Sequence, residues 1–330
     1  LVFHGGFVYV EPSNMVLTKE YRICMPLTVE EYKIGQLYMI ARYSHEQSDS
    51  GEGVEVICNQ PCEDPVHGKG QFTEKRIHLS NRLPYWVQAM IPKVFYITEK
   101  AWNYYPYTIS EYTCSFIPKL HIQVVTRYED NNGTTHNCHK LTPEELAERA
   151  VDFVDIAYDE IGPKHYKEEE DVRYFQSQKT GRGPLVEGWR NSSQPVMCSY
   201  KLVRASFEVW GLQTKVEELI HKYTREAQVL AHRQAFAWID SWIGMTLDEV
   251  REYEAEMHME TNARVAQAGI LSPRRLSLVN SLNDSDEAAE GVTPEFIAAS
   301  PTPKSPTPSS PRGPQTPTSP SSLKAWLPWS

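Results

Sequence analysis

Between Gln71 and Tyr128 the chain repeatedly alternates apolar and polar residues, and no other feature narrows its fold as much. Residues 71–79, 94–98, 104–116 and 120–128 read as strands with one buried and one wet face, the pattern of antiparallel sheets. Residues 21–27, 54–59 and 199–210 add three more, and Asn132-Gly133 marks a turn. The helices are announced by their caps. Thr28 with Glu31 is a capping box that predicts a helix to about Tyr43. Thr142-Pro143-Glu144-Glu145 combines an N-cap, a proline at the first helical position and a capping glutamate. Leu146, Ala150, Phe153, Val154, Ala157 and Ile161 follow at helical spacing and extend that predicted helix. Residues 213–242 predict one long helix, with Val216, Leu219, Ile220, Tyr223, Ala227 and Leu230 in register. Thr246 and Glu249 cap a last, charge-rich one. The order is α+β: a mostly antiparallel sheet with long helices packed on it.

Charge and composition exclude several classes. A net charge of −10 argues against a general nucleic-acid binder, which needs a basic face for phosphates. No apolar run approaches the ~18 residues of a membrane span. Six cysteines in 330 residues are too sparse for a disulfide scaffold, and reduced thiols in a cytosolic protein are the simplest reading. Residues 1–14 show no secretory signal, and Met15 opens a stretch that reads like a natural N-terminus. Those 14 residues are therefore expected to be a non-native leader. From Ser272 onward, 28 of 59 residues are proline, serine or threonine, too polar a mixture to bury a core. This tail carries nine Ser-Pro or Thr-Pro pairs and, at Arg274-Arg275-Leu276-Ser277, a serine placed as basophilic kinases favour. It is either an inert linker or a segment that phosphorylation recharges for a partner's arginines.

Polar residues on apolar strand faces carry the most functional information. Alternation sets Lys75 on a face with Thr73, Ile77 and Leu79, and Lys201 on a face with Val203, Ala205, Phe207 and Val209. A lysine aimed into a dry core costs several kcal/mol unless paired. Two arrangements satisfy this pattern. Each lysine snorkels to water from a strand end, or an anionic ligand such as a lipid phosphate pairs with it while its acyl chains follow the apolar residues. Elsewhere, residues 179–185 form a basic, Gly-rich segment without phosphate-loop spacing, read as an exposed turn or a phosphate-facing one. His136, Cys138 and His139, and Cys58 with Cys62, lack zinc-site spacing, so no metal is expected. No nucleophile elbow, His-Glu-x-x-His or paired-carboxylate motif occurs in the sequence, which favours binding over catalysis.

Longer motifs then fall into collinear order. They include Lys19-Glu20-Tyr21-Arg22, Gly35-Gln36-Leu37-Tyr38, Gly51-Glu52-Gly53-Val54-Glu55-Val56 and Gly70-Gln71-Phe72-Thr73. Glu99-Lys100-Ala101-Trp102-Asn103, Lys179-Thr180-Gly181-Arg182-Gly183-Pro184-Leu185, Met197-Cys198-Ser199-Tyr200-Lys201-Leu202-Val203 and Trp210-Gly211-Leu212-Gln213 continue the series. In these, about three-quarters of the chain resembles the phosphatidylinositol transfer proteins, and details such as Tyr112-Thr113-Cys114-Ser115-Phe116 resemble the soluble retinal-degeneration-B-beta branch. The resemblance implies a START-like concave sheet closed by long helices around one phospholipid, phosphatidylinositol and in this branch also phosphatidic acid, carried between membranes without covalent chemistry or a cofactor. It implies a lipid-binding domain over 15–265 and a disordered regulatory tail over 266–330. Family head-group contacts map onto Thr73, Lys75, Glu99, Asn103, Ser110, Lys201 and Glu254, with both lysines as donors to the phosphate. Typical members dock on membranes through a Trp-Trp pair where this chain has Val209-Trp210, so Trp210 is the expected anchor of a transient membrane contact. Thr108 replaces a cysteine of typical members, which weighs against phosphatidylcholine. The branch's tail is associated with phosphorylation-dependent 14-3-3 binding. Ser277 is the best match here, without the usual proline two residues on, and Ser300 has its Pro301 but no upstream arginine. The resemblance thus implies a cytoplasmic lipid carrier. The alternative is a phosphorylation-regulated adaptor whose lipid pocket acts as a switch.

Overall fold

The alternating stretches assemble into one sheet in a computed structural model that describes residues 17–48, 53–78, 95–114, 116–207 and 213–267. In chain order the strands are β1 (Leu17–Met25), β2 (Gly53–Asp64), β3 (Gly68–His78), β4 (Tyr96–Tyr104), β5 (Tyr107–Cys114), β6 (Ile117–Glu129), β7 (Ala150–Val154) and β8 (Met197–Phe207). Their spatial order is β2-β3-β4-β5-β6-β8-β1-β7. Every neighbouring pair is antiparallel except β1–β7, which is parallel. The leader, Trp210, Ser277, Ser300 and the proline-rich tail lie outside the described residues.

The helices are α1 (Val29–Glu46), α2 (Pro143–Glu148), α3 (Trp189–Ser192), α4 (Gln213–Ala237), α5 (Ile239–Trp242) and α6 (Leu247–Gln267). All three expected capping boxes form, with reciprocal bonds at Thr28/Glu31, Thr142/Glu145 and Thr246/Glu249. Helix α4 rests on β1 and β8, α6 rests on β2, and α1 packs against both helices. The helical layer therefore makes its main contacts toward the two ends of the sheet. Close approach within it needs a glycine: a Cβ at Gly35 of α1 would come within 2.8 Å of the Trp242 ring. Trp242 is wholly buried, and a large apolar side chain so placed contributes roughly 1.5–3 kcal/mol.

Three expectations need correction. The helix opening at Pro143 does not run to Ile161. It ends at Glu148, and Ala150–Val154 pairs with β1 from Lys19↔Ala150 to Ile23↔Val154. Helix α2 buries none of its residues, so nothing rewards lengthening it. The β-branched and aromatic Val151, Phe153 and Val154 suit the edge of β1. The strand expected over 104–116 starts later: Tyr104 ends β4, Tyr105-Pro106 forms the turn, since proline offers no N–H to a ladder, and β5 begins at Tyr107. The long helix expected over 213–242 breaks at Trp238, whose indole donates to Glu170 Oε1 and lies under the Arg42 guanidinium at 4.1 Å.

The outer face of the sheet has its own order. Glu20, wholly buried, accepts from Arg22 at 2.7 Å and from Arg149 at 2.7 Å. Both arginines also donate to backbone carbonyls of the loop after β6, at Gly133 and His136. Gly133 is held at φ +89°, where a Cβ would meet the Phe153 ring at 2.9 Å. This cluster ties that loop, α2 and β7 to the outside of the sheet and leaves the opposite face to the long helices.

Candidate functional site

Cross-strand register decides which side chains share a face, because directly paired residues project the same way. One row runs Lys75–Glu99–Tyr112–Ile122–Ala205 across β3, β4, β5, β6 and β8. The next runs Thr73–Ala101–Ser110–Val124–Val203, and a third runs Gln71–Asn103–Thr108–Thr126–Lys201–Tyr21. Six of the seven expected head-group residues thus lie in three adjacent rows of one face. It is the face that meets α4, since the Tyr21 hydroxyl bonds His221 of that helix. Burial alternates as the pairing requires: Thr108, Ser110, Tyr112 and Cys114 are buried, as are Leu120, Ile122, Val124, Thr126 and Tyr128.

The polar groups on this face are unusually dry. Lys75 is 5% exposed, Lys201 2% and Glu99 0%. Glu99 accepts from the Tyr112 hydroxyl at 2.7 Å through one oxygen, and its Oε2 has no partner among the described residues. The Ser110 hydroxyl is equally buried and without a partner there. Among the described residues no carboxylate lies within ion-pair distance of the Lys75 ammonium. Asn103 Oδ1 accepts from the backbone N–H of Tyr105 and, at 3.4 Å, from Thr108. The Thr73 hydroxyl reaches Asn59 at 3.3 Å. Buried polar atoms are nearly always hydrogen-bonded, so several orphans on one face point to a polar ligand as their partner.

Electrostatics agree with that dryness. Burial pushes the Lys201 ammonium down to about 7, with the Glu99 carboxylate pulling the other way. Two strands, β5 and β6, lie between those residues, so this pull acts across the face and not through an adjacent pair. Burial, with the Lys201 charge nearby, holds His232 of α4 down at about 3, so that imidazole is neutral. Lys75 stands four strands from Lys201, and the two cations flank the polar strip rather than meet at one point. Glu254, the seventh residue, is 5% exposed on α6 and is held by Arg251 at 2.5 Å. It approaches the Lys75 end, where His258 of the same helix feels both charges.

Sequence reasoning missed several members of this surface. Gln36 of α1 is buried, accepts from the Tyr128 hydroxyl at 2.9 Å, and keeps Nε2 without a partner among the described residues. Tyr128 is two residues from Thr126, whose hydroxyl meets Lys201 Nζ at 3.4 Å. The signal was present: an amide amid Tyr32, Leu37 and Met39 on the buried side of an amphipathic helix. The Gly-rich segment 179–185 lies apart from the strip. Arg182 clasps Glu31 with two bonds of 2.9 and 2.8 Å, and Asp240 accepts from the N–H groups of Gln178 and Lys179. It is a docked surface turn. No group of three or more His, Cys, Asp or Glu among the described residues could hold a metal ion.

Comparison with known proteins places this arrangement. A family model described as phosphatidylinositol transfer protein matches residues 16–259. Cytoplasmic phosphatidylinositol transfer protein 1 of Drosophila melanogaster is 68% identical over 251 residues, 76% of this chain and 92% of the relative. The human protein of the same name is 60% identical over 258 residues, 78% of this chain and 76% of its own. Phosphatidylinositol transfer protein 5 of Dictyostelium discoideum is 45% identical over 252 residues, 76% and 88% of the two chains. An α+β sheet with one dry polar strip, matched over most of its length at such identity, belongs to the phosphatidylinositol transfer protein family.

Proposed function

We infer that this chain binds one phosphatidylinositol between the inner face of its sheet and its long helices, and carries it from one membrane to another. The observation that supports this reading most is the pair of buried lysines on one face, with the orphaned Glu99 and Ser110 oxygens between them. Lysines at the margins of a core would snorkel, yet these two are 5% and 2% exposed. An anionic head group supplies a counter-charge for Lys75 and favours the charged form of the buried Lys201.

Spacing suggests a division of labour. Lys201, bonded to Thr126 and 6.0 Å from the ring of Tyr128, the partner of Gln36, is the phosphate end, where burial makes an ammonium costly until an anion arrives. Lys75, Thr73, Glu99, Asn103 and Glu254 form the ring end, which offers acceptors and donors to several hydroxyls. A head group without those hydroxyls leaves these groups unpaired, and that discriminates among lipids. Phosphatidic acid, which keeps the phosphate and has no ring, would use the Lys201 end alone. Each acyl methylene removed from water contributes ~0.8 kcal/mol, so a dry protein interior in place of the bilayer lowers the barrier to transfer. No bond is made or broken in this cycle.

The surroundings follow from the same reading. None of the described helices is long and apolar enough to cross a membrane. Contact with donor and acceptor bilayers is proposed to be transient, with Trp210 as its anchor. A cytoplasmic location follows the names of the similar proteins. The tail from 266 is proposed as a phosphorylation-dependent site for a 14-3-3 protein at Ser277 or Ser300. The test is transfer of labelled phosphatidylinositol from donor to acceptor vesicles by the full chain. Lys75→Ala and Lys201→Met are each expected to lower the rate at least ~10-fold, the loss of one charged contact. Undiminished transfer by both variants would overturn the site. No transfer by the unmodified chain would put the tail-adaptor reading first.

A further inference from the structure

Helix α6 brings a second titratable group to the ring end of the strip. Glu254, His258 and Asn262 recur every four residues, so they share one face of that helix. The far end of that face is fixed. Asn262 accepts from the Val56 N–H at 2.8 Å and donates to the Val56 carbonyl at 2.9 Å, taking the place of a strand partner on the outer side of β2. The β-bulge at Ile57 leaves Val56 turned toward the helix there. Val56 is the register partner of Lys75. One helical turn back from this anchor is His258, 8% exposed, with Nε2 buried and without a hydrogen-bond partner among the described residues. The groups around it are Lys75 from β3 and Glu254 and Arg251 from its own helix.

We propose that His258 is a further head-group ligand, its Nε2 hydrogen-bonding a ring hydroxyl of a polyol phospholipid between Lys75 and Glu254, with Asn262 positioning it. The proposal rests on the phosphatidylinositol reading above and extends it by one residue. A neutral imidazole suits the role. Burial, with Lys75 beside it, holds His258 down at about 4 against the pull of Glu254, so at neutral pH the ring carries no charge and can donate or accept toward a hydroxyl. A cationic ring beside Lys75 would repel the lysine, and an apolar side chain would leave a hydroxyl buried and unpaired.

The experiment loads the full chain from phosphatidylcholine vesicles doped with phosphatidylinositol, and in a parallel arm with phosphatidic acid. Bound lipid is counted by mass spectrometry, and thermal unfolding is recorded for each variant. His258→Leu is expected to reduce phosphatidylinositol loading about 10-fold, one hydrogen bond lost plus one hydroxyl left buried, and to leave any phosphatidic acid loading unchanged. His258→Gln, which keeps a donor and an acceptor, is expected to recover most of it and covers the case in which the leucine variant fails to fold. Asn262→Ala should shift loading in the same direction by releasing the helix. Phosphatidylinositol loading that survives both His258 variants overturns the proposal, as does an equal loss for both lipids. Lys75→Ala separates the two failures: if it too loads normally, the site itself is misplaced; if it loses lipid while the His258 variants keep it, only this inference falls.

Discussion

Replacing Lys201 by methionine should stabilise the lipid-free protein while destroying its hold on lipid. The ammonium is fully enclosed, and burial takes it from 10.5 to about 7. At ~1.4 kcal/mol per pH unit, folding at pH 7 then carries a penalty on the order of 4 kcal/mol. The sign follows from proton counts. The unfolded chain binds a proton at this site up to about 10.5, whereas the folded chain releases it above about 7. The penalty is therefore full below pH 7, shrinks as pH rises, and vanishes near 10.5. Methionine matches the aliphatic stem, forfeits the 3.4 Å bond to Thr126 worth ~1 kcal/mol, and removes one of the two cations on the face of Glu99. The net expectation is a gain of ~1–3 kcal/mol at pH 7, and no gain at pH 10. Urea denaturation of the delipidated full chain measures it, with phosphatidylinositol loading measured beside it. A variant that is less stable than the unmodified chain at pH 7, or one that still loads lipid, would refute the reasoning.

Other consequences follow from the same contacts. Phosphatidylinositol loading should weaken as pH rises above 7, by up to ~10-fold per unit, because the bound phosphate raises the Lys201 ammonium above its lipid-free value and the protonated form is the one that binds; equilibrium loading between pH 6 and 9 checks this. Glu20→Gln should destabilise the fold by ~3–5 kcal/mol, since it leaves Arg22 and Arg149 buried without a carboxylate, and denaturation midpoints would show it. Gly133→Ala should cost at least ~1 kcal/mol, because φ +89° and the Phe153 ring at 2.9 Å both oppose a Cβ; its lipid loading should be preserved. Asn103→Ala frees the Tyr105 N–H and the Thr108 hydroxyl and should slow vesicle transfer by ~3–10-fold.

Much of this is legible in the sequence alone. Capping boxes are local, and all three form because each needs only four consecutive residues. Alternation assigned Lys75 and Lys201 to apolar faces, and the register shows that they share one. What alternation could not tell was whether those lysines reach water, since that depends on helices far away in the chain. Residues 150–154 were misread because Ala150, Phe153 and Val154 fit a helical spacing as well as an extended one, and only the waiting edge of β1 decides. Trp238 continues the periodicity of α4, yet its contacts with Glu170 and Arg42 turn the chain there. Gln36 and His258 are polar residues on helices, which usually face water. Their burial comes from the sheet below them, which local sequence does not describe.

The central claim is that this dry polar strip exists to hold one phosphatidylinositol. Native mass spectrometry of the full chain purified from animal cells addresses it directly. The account predicts a mass increment of one phosphatidylinositol per chain, absent from the Lys75→Ala variant purified in the same way. A chain that emerges without lipid, or whose Lys75→Ala variant carries the same phosphatidylinositol in the same amount, would contradict it.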